Sequence, residues 1–172
     1  MNQKDSKFLR RSVKMNNFSH LDSDGKIRMV DVSGKKETLR TAQACGYIIL
    51  NEKIIGMIKN NSMQKGDVLA AARIAGINAA KKTWELVPLC HQIKLTNIDI
   101  SFKIEEAENK IITGSFVAGM DRTGVEMEAI TATAVSLITV YDMCKSISQD
   151  MVIGGIKLIK KTGGKSDVIR DS

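Results

Sequence analysis

Residues that alternate between apolar and polar, or that cluster as β-formers, predict four strands. They occupy residues 38–50, 93–105, 109–117 and 152–159. Only the short connector 106–108 separates the second strand from the third, so we expect these two to form a hairpin.

Apolar residues at helical spacing mark three further segments. A short helix is predicted over 52–58, and longer helices are predicted over 67–83 and 124–147. The order of the main elements is then β-α-β-β-α-β, which is typical of the ferredoxin-like arrangement. We therefore predict an α+β fold, a ferredoxin-like βαββαβ sandwich whose antiparallel sheet carries its helices packed on one face.

Positive charge is concentrated at the beginning of the chain. Of 26 basic and 19 acidic residues, five and one lie in residues 1–14, which gives this segment +4 of the net +7. The rest of the chain is only mildly basic, so the charge alone does not require a polyanionic partner. We predict a basic flexible tail over 1–16 and a single domain over 17–172.

Several compartments and classes are disfavoured. No stretch reaches the ~18 consecutive apolar residues of a membrane span, and the first residues lack the apolar core of a secretory signal. Three cysteines without a C-x-x-C pair are typical of a reducing compartment. We expect a cytoplasmic protein without a membrane partner.

The first candidate for chemistry is the pair Asp142 and Lys145, which share one face of the predicted helix 124–147. The helical residues before them are nearly all apolar, which favours a partly dehydrated pair that can exchange protons with a substrate. In such surroundings the pKa of a lysine can move toward neutrality. Spacing alone favours a helix-terminal salt bridge and leaves a catalytic pair open.

The second candidate is the loop P-L-C-H, which ends in Cys90 and His91 between a helix and a strand. No second Cys/His pair stands at zinc spacing, so we expect no metal site. His91 is either a substrate contact or a structural histidine. Glu126 and Glu128 begin the next helix, where the helix dipole favours acidic residues even without a ligand.

Cations on glycine-containing loops are the third candidate, because ammonium groups and backbone amides can meet a phosphate there. Lys65 precedes Gly66, and Lys161 and Lys165 flank the run T-G-G. Arg73 lies on the helix that follows Lys65.

Eight motifs occur in order along the chain: M-V-D-V-S at 29–33, K-G-D-V at 65–68, A-R-I-A-G-I at 72–77, A-A-K-K-T-W-E-L-V-P-L-C-H at 79–91, T-G-V-E-M-E-A at 123–129, Y-D-M-C-K at 141–145, D-M-V-I-G at 150–154 and G-G-K-S at 163–166. Together they resemble the cyclic pyranopterin monophosphate synthase family, the accessory protein C type of molybdenum-cofactor biosynthesis. The resemblance covers about residue 18 to residue 167.

The resemblance implies a lyase and makes 17–172 a single catalytic domain. Its reaction would convert (8S)-3′,8-cyclo-7,8-dihydroguanosine 5′-triphosphate into cyclic pyranopterin monophosphate and pyrophosphate. It implies no redox cofactor, and it leaves Mg²⁺ on the substrate phosphates open. The implied partners are a small molecule rather than nucleic acid, and further copies of the chain in a homohexamer.

Carried over motif by motif, the resemblance implies that Asp142 is the catalytic acid–base, that Lys145 is its partner and that Lys65 reaches the substrate. It implies that the substrate site is lined by Leu89, Cys90, His91, Glu126, Met127 and Glu128. It also implies phosphate contacts from Arg40, Arg73, Lys161 and Lys165.

The predicted helix adds a geometric expectation. Glu128 and Asp142 are 14 residues apart, which is about 21 Å along a helix axis and within about 40° of the same face. One compact substrate cannot touch both ends. We therefore predict sites at a dimer interface, with residues from two protomers, which agrees with a hexamer built as a trimer of dimers.

Two other classes of protein stay open. A small nucleic-acid-binding module is favoured by the basic tail and the order of elements, but few aromatic residues oppose it. The second open class is a regulatory domain that binds a ligand without catalysis, and the absence of turnover would distinguish it from an enzyme.

Overall fold

The computed structural model describes residues 24–170, and the chain divides into two compact units, 1–30 and 31–172. Every helix and strand below lies in the second unit; of the first, only residues 24–30 are described. The predicted tail at 1–16 lies outside the described residues. That tail and the domain bounds stay predictions.

One antiparallel sheet forms the body of the second unit, with the strand order β2-β3-β1-β4-β5. The strands are β1 (Thr38–Ile49), β2 (Leu95–Glu105), β3 (Lys110–Asp121), β4 (Val152–Thr162) and β5 (Val168–Ile169). The first four stand in the order of a ferredoxin-like sheet, so the predicted fold class is confirmed. The hairpin of β2 and β3 is confirmed as well.

Four helices complete the unit: α1 (Glu52–Lys59), α2 (Val68–Lys81), α3 (Thr83–Leu86) and α4 (Glu126–Cys144). The predicted helix 67–83 breaks at Lys82, whose backbone (φ −109°, ψ 10°) leaves helical geometry. Asp67 caps α2, since its side chain accepts a hydrogen bond from the amide of Ala70 at 2.9 Å. The prediction also extended α4 three residues too far, because the chain turns after Cys144 with Ile147 bonded back to its carbonyl.

The core lies between the sheet and the helices. Along β1, Ala42, Ala44 and Ile48 are buried, and they pack in the same clusters as Ala129 and Leu137 of α4. Burial of an aliphatic side chain such as Leu137 contributes roughly 1.5–3 kcal/mol. The apolar side chains of the alternation predicted for β1 therefore form the contact between this central strand and α4.

Small residues allow close packing at α4. A Cβ on Gly46 of β1 would lie 3.0 Å from Leu137 Cδ1. A Cβ on Gly76 of α2 would collide with the Ser136 hydroxyl and lie 3.0 Å from the Ala132 carbonyl. Within residues 24–170, α4 is the helix long and apolar enough to cross a membrane, but half of its apolar window is buried, as in a core helix.

The α2–α4 crossing gives the first prediction. Gly76→Ala should lower the free energy of unfolding by about 1–3 kcal/mol, because the added methyl group overpacks the crossing. Gly56→Ala is the matched control on α1, where an added Cβ meets no atom within 4 Å; it should raise stability by about 0.5–1 kcal/mol. Urea denaturation measures both, and equal effects at the two sites would contradict the close crossing.

Candidate functional site

A group of charges meets at the C-terminal end of α4. Asp142 Oδ1 lies 2.7 Å from Lys145 Nζ, and Asp142 Oδ2 lies 3.8 Å from Lys65 Nζ. Lys65 Nζ also donates a hydrogen bond to the Asp142 carbonyl at 3.0 Å. The structure thus brings together the three residues proposed for catalysis, and we call them the aspartate–lysine cluster.

Lys65 reaches this cluster from the loop between α1 and α2. Gly66 has φ +89°, a left-handed conformation that favours glycine, and its amide bonds to the Met63 carbonyl at 3.0 Å. The chain then enters α2 through the Asp67 cap. The K-G-D motif therefore forms a turn that places the Lys65 side chain beside the C-terminal end of α4, and its aspartate caps the start of α2.

The aspartate–lysine cluster differs from the sequence-based expectation in its solvation and charge. Its side chains are 44–57% exposed, so the pair is solvated rather than partly dehydrated. The hydrogen bond from Lys145 and its charge lower the pKa of Asp142. The same hydrogen bond raises the pKa of Lys145, so the expected movement toward neutrality is wrong for this lysine in the single chain. Both groups are charged at neutral pH.

A second group of charges surrounds a cavity of about 160 Å³ near the N-terminal end of α4. We call it the basic pocket. Its charged residues are one carboxylate, Glu126, and five cations: Lys35, Arg40, Arg122, Lys161 and Lys165. Lys161 Nζ pairs with Glu126 Oε1 at 2.9 Å, and Arg122 lies 3.9 Å from a carboxylate oxygen of Glu37, which leaves the other three cations in excess. The pocket is suited to an anion.

Backbone contacts hold the cations of the basic pocket in place. Arg40 is 9% exposed and donates to the carbonyls of Asp121 and Arg122 at 3.2 and 3.3 Å. Gly163 has φ +82°, and a Cβ on it would collide with the Leu39 carbonyl. The T-G-G run therefore lies against β1, which fixes the loop that carries Lys165.

Sequence reasoning missed two members of this pocket, Lys35 and Arg122. Arg122 follows the last residue of β3 in the segment before α4, and its Nε is buried without a hydrogen-bond partner among residues 24–170. The nearest carboxylate oxygen, on Glu37, lies 3.9 Å away. The sequence signal for Arg122 was the run D-R-T-G before a helix. A cation at this position lies beside the backbone amides of the first helical turn, which have no partner within the helix.

Glu128 is the third residue of α4 and is only 3% exposed. Its Oε2 has no hydrogen-bond partner among the described residues, and burial raises the pKa of its carboxyl group to about 7. Burial, and next the charge of Glu128, raise the pKa of the Cys90 thiol. Met127 on the same turn points outward, with 38% exposure.

The predicted P-L-C-H site is a half-buried loop. Leu89, Cys90 and His91 follow α3 and precede β2. Cys90 lies close enough to Glu128, at the N-terminal end of α4, for the charge of Glu128 to raise the pKa of its thiol. These residues therefore group with Glu126 and Glu128 and not with the aspartate–lysine cluster.

Arg73 lies apart from both groups. Its Nη1 hydrogen-bonds the Ile100 carbonyl and lies 3.7 Å from Asp99, and its guanidinium lies 5.6 Å from the centre of the Phe102 ring. These contacts join α2 to β2. Arg73 as a phosphate contact stays a prediction that this geometry does not favour.

An unbroken helix separates the two groups. Since α4 runs from Glu126 to Cys144, Glu128 and Asp142 are about 21 Å apart along its axis. Among residues 24–170, no cluster of three or more His, Cys, Asp or Glu side chains has the geometry to hold a metal ion. The site residues therefore form two half-sites within one chain.

The chain matches the model of a known protein family. The model of the MoaC family matches residues 29–164, which is most of the chain. The matched range includes the aspartate–lysine cluster and all of the basic pocket except Lys165.

The burial of Glu128 gives the second prediction. The pKa of its carboxyl is raised from 4.5 to about 7, so the proton stabilises the folded state fully below pH 4.5 and this contribution is lost as the pH rises through 7. As the pH rises from 4.5 to 8, the free energy of unfolding of Glu128→Gln should therefore increase relative to that of the parent protein by up to about 3 kcal/mol. Urea denaturation across this range checks it, and parallel curves for the two proteins would contradict a buried, neutral Glu128.

Proposed function

This chain belongs to the MoaC family, the family of cyclic pyranopterin monophosphate synthase. On that premise we propose that it is a lyase that converts (8S)-3′,8-cyclo-7,8-dihydroguanosine 5′-triphosphate into cyclic pyranopterin monophosphate and pyrophosphate. Membership of the family implies a role in molybdenum-cofactor biosynthesis. The observation that carries the finer proposal is the basic pocket, with five cations around one carboxylate.

The triphosphate suits the basic pocket. It carries roughly four negative charges, and the pocket has three cations beyond the Lys161–Glu126 and Arg122–Glu37 pairs. Charge also develops on pyrophosphate as it leaves, so fixed guanidinium and ammonium groups stabilise departure as well as binding. Arg40, Lys161 and Lys165 are the proposed phosphate contacts, and Lys35 and Arg122 are added to them.

The aspartate–lysine cluster supplies the acid–base chemistry in this proposal. Asp142 exchanges protons with Lys145 as its partner while Lys65 contacts the substrate. In the exposed cluster the pKa of Asp142 is lowered and that of Lys145 is raised, which suits neither group to proton transfer at neutral pH. Removal of water from the cluster opposes both shifts, because desolvation disfavours both charged forms. Catalysis therefore requires a surface that closes over the cluster.

The reaction needs no external electron acceptor or donor, because the conversion only rebuilds the ring, closes a cyclic phosphate and releases pyrophosphate. We therefore propose that the enzyme uses no redox cofactor. The chain's own part is to bind the phosphates, orient the ring system and move protons.

A second copy of the chain is the proposed closing surface. One stripe of α4 faces outward and includes Met127 and Ile138, which are 38% and 55% exposed. Between them lie the half-buried Thr131 and Ala134. The stripe is apolar or small, and it ends at Asp142. Such a surface suits close packing against another helix.

A twofold axis beside Ala134 and Val135 would pair the stripe with itself. In that antiparallel arrangement Met127 lies opposite Asp142 of the partner, and Thr131 lies opposite Ile138 of the partner. The N-terminal half-site of one chain then meets the aspartate–lysine cluster of the other at each end of the helix pair. We propose that these dimers assemble as a trimer of dimers and act in the cytoplasm.

Turnover gives the third prediction. Purified, assembled protein should release pyrophosphate from the authentic cyclised nucleotide. Lys145→Met and Asp142→Asn should each lower the rate by about 10²–10⁴-fold, the range expected for loss of a positioned acid–base group.

Lys103→Met is the control, because this exposed lysine lies on β2 and pairs with Glu105. It should retain full activity. No pyrophosphate release from the parent protein would overturn the proposed function and leave a ligand-binding domain. Salt-dependent binding to RNA would instead favour a nucleic-acid-binding module.

The dimer gives the fourth prediction. Ala134→Cys should form an intermolecular disulfide in high yield on mild oxidation, because the proposed axis brings the two positions within disulfide distance. Asn78→Cys, on the exposed side of α2, is the matched control and should not cross-link. Mixed dimers of Glu128→Ala and Asp142→Ala chains should regain activity, and inactive verified mixed dimers would argue for sites within single chains.

A further inference from the structure

A cavity of about 350 Å³ lies beside the aspartate–lysine cluster, with Lys65 in its wall, and the reaction proposed above does not use it. Its apolar lining consists of Met57, Met63, Met143 and Ile147. We call it the methionine cavity. Its volume lies within the range of small-molecule sites, roughly 300–1,000 Å³, so it can hold a compact organic ligand.

The apolar wall of the methionine cavity is anchored in the main core. Met63 is 7% exposed and belongs to the largest buried cluster. Met57 and Met143 pack against the same cluster and keep part of their surface exposed. Thioether groups are polarisable, adjust to the shape of a ligand and make favourable contacts with aromatic rings. Three of them around one cavity therefore favour a flat aromatic ligand.

The charges of the methionine cavity indicate what substituent this ring carries. The charged residues of its lining are Lys53 and Lys65, and no carboxylate accompanies them. Lys65 is already paired with Asp142, whereas Lys53 is exposed and forms no salt bridge among residues 24–170. One unpaired cation suits a ligand with a single negative charge. The substrate, with roughly four negative charges, suits the basic pocket instead.

Polar groups at the rim of the methionine cavity favour a carboxylate as the charged substituent. Gln64 and Ser146 are both exposed and supply an amide and a hydroxyl, which can donate hydrogen bonds to its oxygens. Together with the ammonium group of Lys53, they provide donors on the open side of the cavity, opposite the buried Met63.

We propose that the methionine cavity is a regulatory site for a small aromatic monocarboxylate, and the regulatory part of this inference rests on the proposed function. The ring lies against the thioethers, and the carboxylate pairs with Lys53. Lys65 Nζ lies 3.8 Å from the carboxylate of Asp142, which is longer than a hydrogen bond. A second carboxylate in the cavity attracts Lys65 away from Asp142, so the occupied site slows the reaction.

The methionine methyl groups report on binding directly. Protein labelled with ¹³C at these groups gives signals from nine methionines, of which three line the cavity. Naphthoate, an aromatic ring system with one carboxylate, should shift the signals of Met57, Met63 and Met143 with one saturating curve. Met120 is the internal control, because it is exposed on β3, which does not line the cavity.

The role of Lys53 is tested with an uncharged ligand of the same shape. Naphthamide should bind about fivefold more weakly than naphthoate, as expected for the loss of one exposed ion pair. Lys53→Met should remove this difference and leave turnover without ligand unchanged. Lys103→Met is the matched control on β2 and should preserve the difference. Acetate, which has the charge but no ring, should shift none of the methyl signals.

Variants that fill the rim test the location of the site. Ser146→Phe and Gln64→Phe place an aromatic ring at exposed positions of the lining, and each should weaken naphthoate binding by about tenfold or more. Two such positions guard against misfolding of either variant. Asn78→Phe adds the same bulk at an exposed position of α2 and should leave binding unchanged.

Turnover tests the regulatory part of the inference. Saturating naphthoate should slow pyrophosphate release by about tenfold, which corresponds to a barrier raised by about 1.4 kcal/mol. Half of this effect should occur at the concentration that shifts the methyl signals halfway. Lys53→Met should need about fivefold more naphthoate for the same effect.

The ligand site would be overturned if naphthoate shifted none of the three cavity signals, shifted Met120 equally, or bound no more tightly than naphthamide. Methyl shifts without slower pyrophosphate release would overturn the regulatory part alone. A parent protein that releases no pyrophosphate would overturn the proposed function and the regulatory part with it, while the methyl shifts would still decide whether the site exists.

Discussion

The packing of α4 between the sheet and α2 is the constraint on which the rest of the structure depends. Gly46 lets the helix lie close to the central strand, and Gly76 lets α2 lie close to the helix. Because α4 is held on these two sides, its 19 residues stay unbroken. The groups near its ends are therefore kept apart by about 21 Å along the helix axis, and no movement of a side chain brings them together. The division of the chemistry into two half-sites is a result of core packing.

The two half-sites differ in what they need from water. The basic pocket has an excess of cations around a small cavity, and it attracts an anion while it stays open to solvent. In the aspartate–lysine cluster the negative charge of Asp142 is balanced by its lysine partners, and exposure to water keeps both Asp142 and Lys145 charged. In the proposed mechanism the first half-site binds phosphate within a single chain, whereas the second gains reactivity only when a surface covers it. An interface between copies would couple substrate binding at one end of α4 to proton transfer at the end of its partner.

The fold could be predicted from sequence because its signals are local. The strict alternation in β2 and the alanine spacing of α2 each depend on neighbours within a few residues. Spatial partners leave no such trace. Arg73 as a phosphate contact stays a prediction, and only the fold shows that Asp99 and Phe102 lie beside it across the α2–β2 contact. Lys35 and Arg122 line the basic pocket because the sheet places β1, β3 and β4 side by side, and no local sequence pattern shows this. Apolar periodicity also suggested a dehydrated Asp142, because the pattern does not reveal where a helix leaves the core.

The unbroken α4 has a consequence for how such a chain can change over time. A substitution on its outer stripe alters one contact, but the insertion or deletion of a single residue turns everything beyond it by about 100° and moves it by about 1.5 Å. Asp142 would then point away from Lys65, while the basic pocket at the other end stayed intact. The number of residues in α4 is thus constrained more strictly than their identities. Related chains should therefore vary in the length of the loops around α4 before they vary in the number of helical turns.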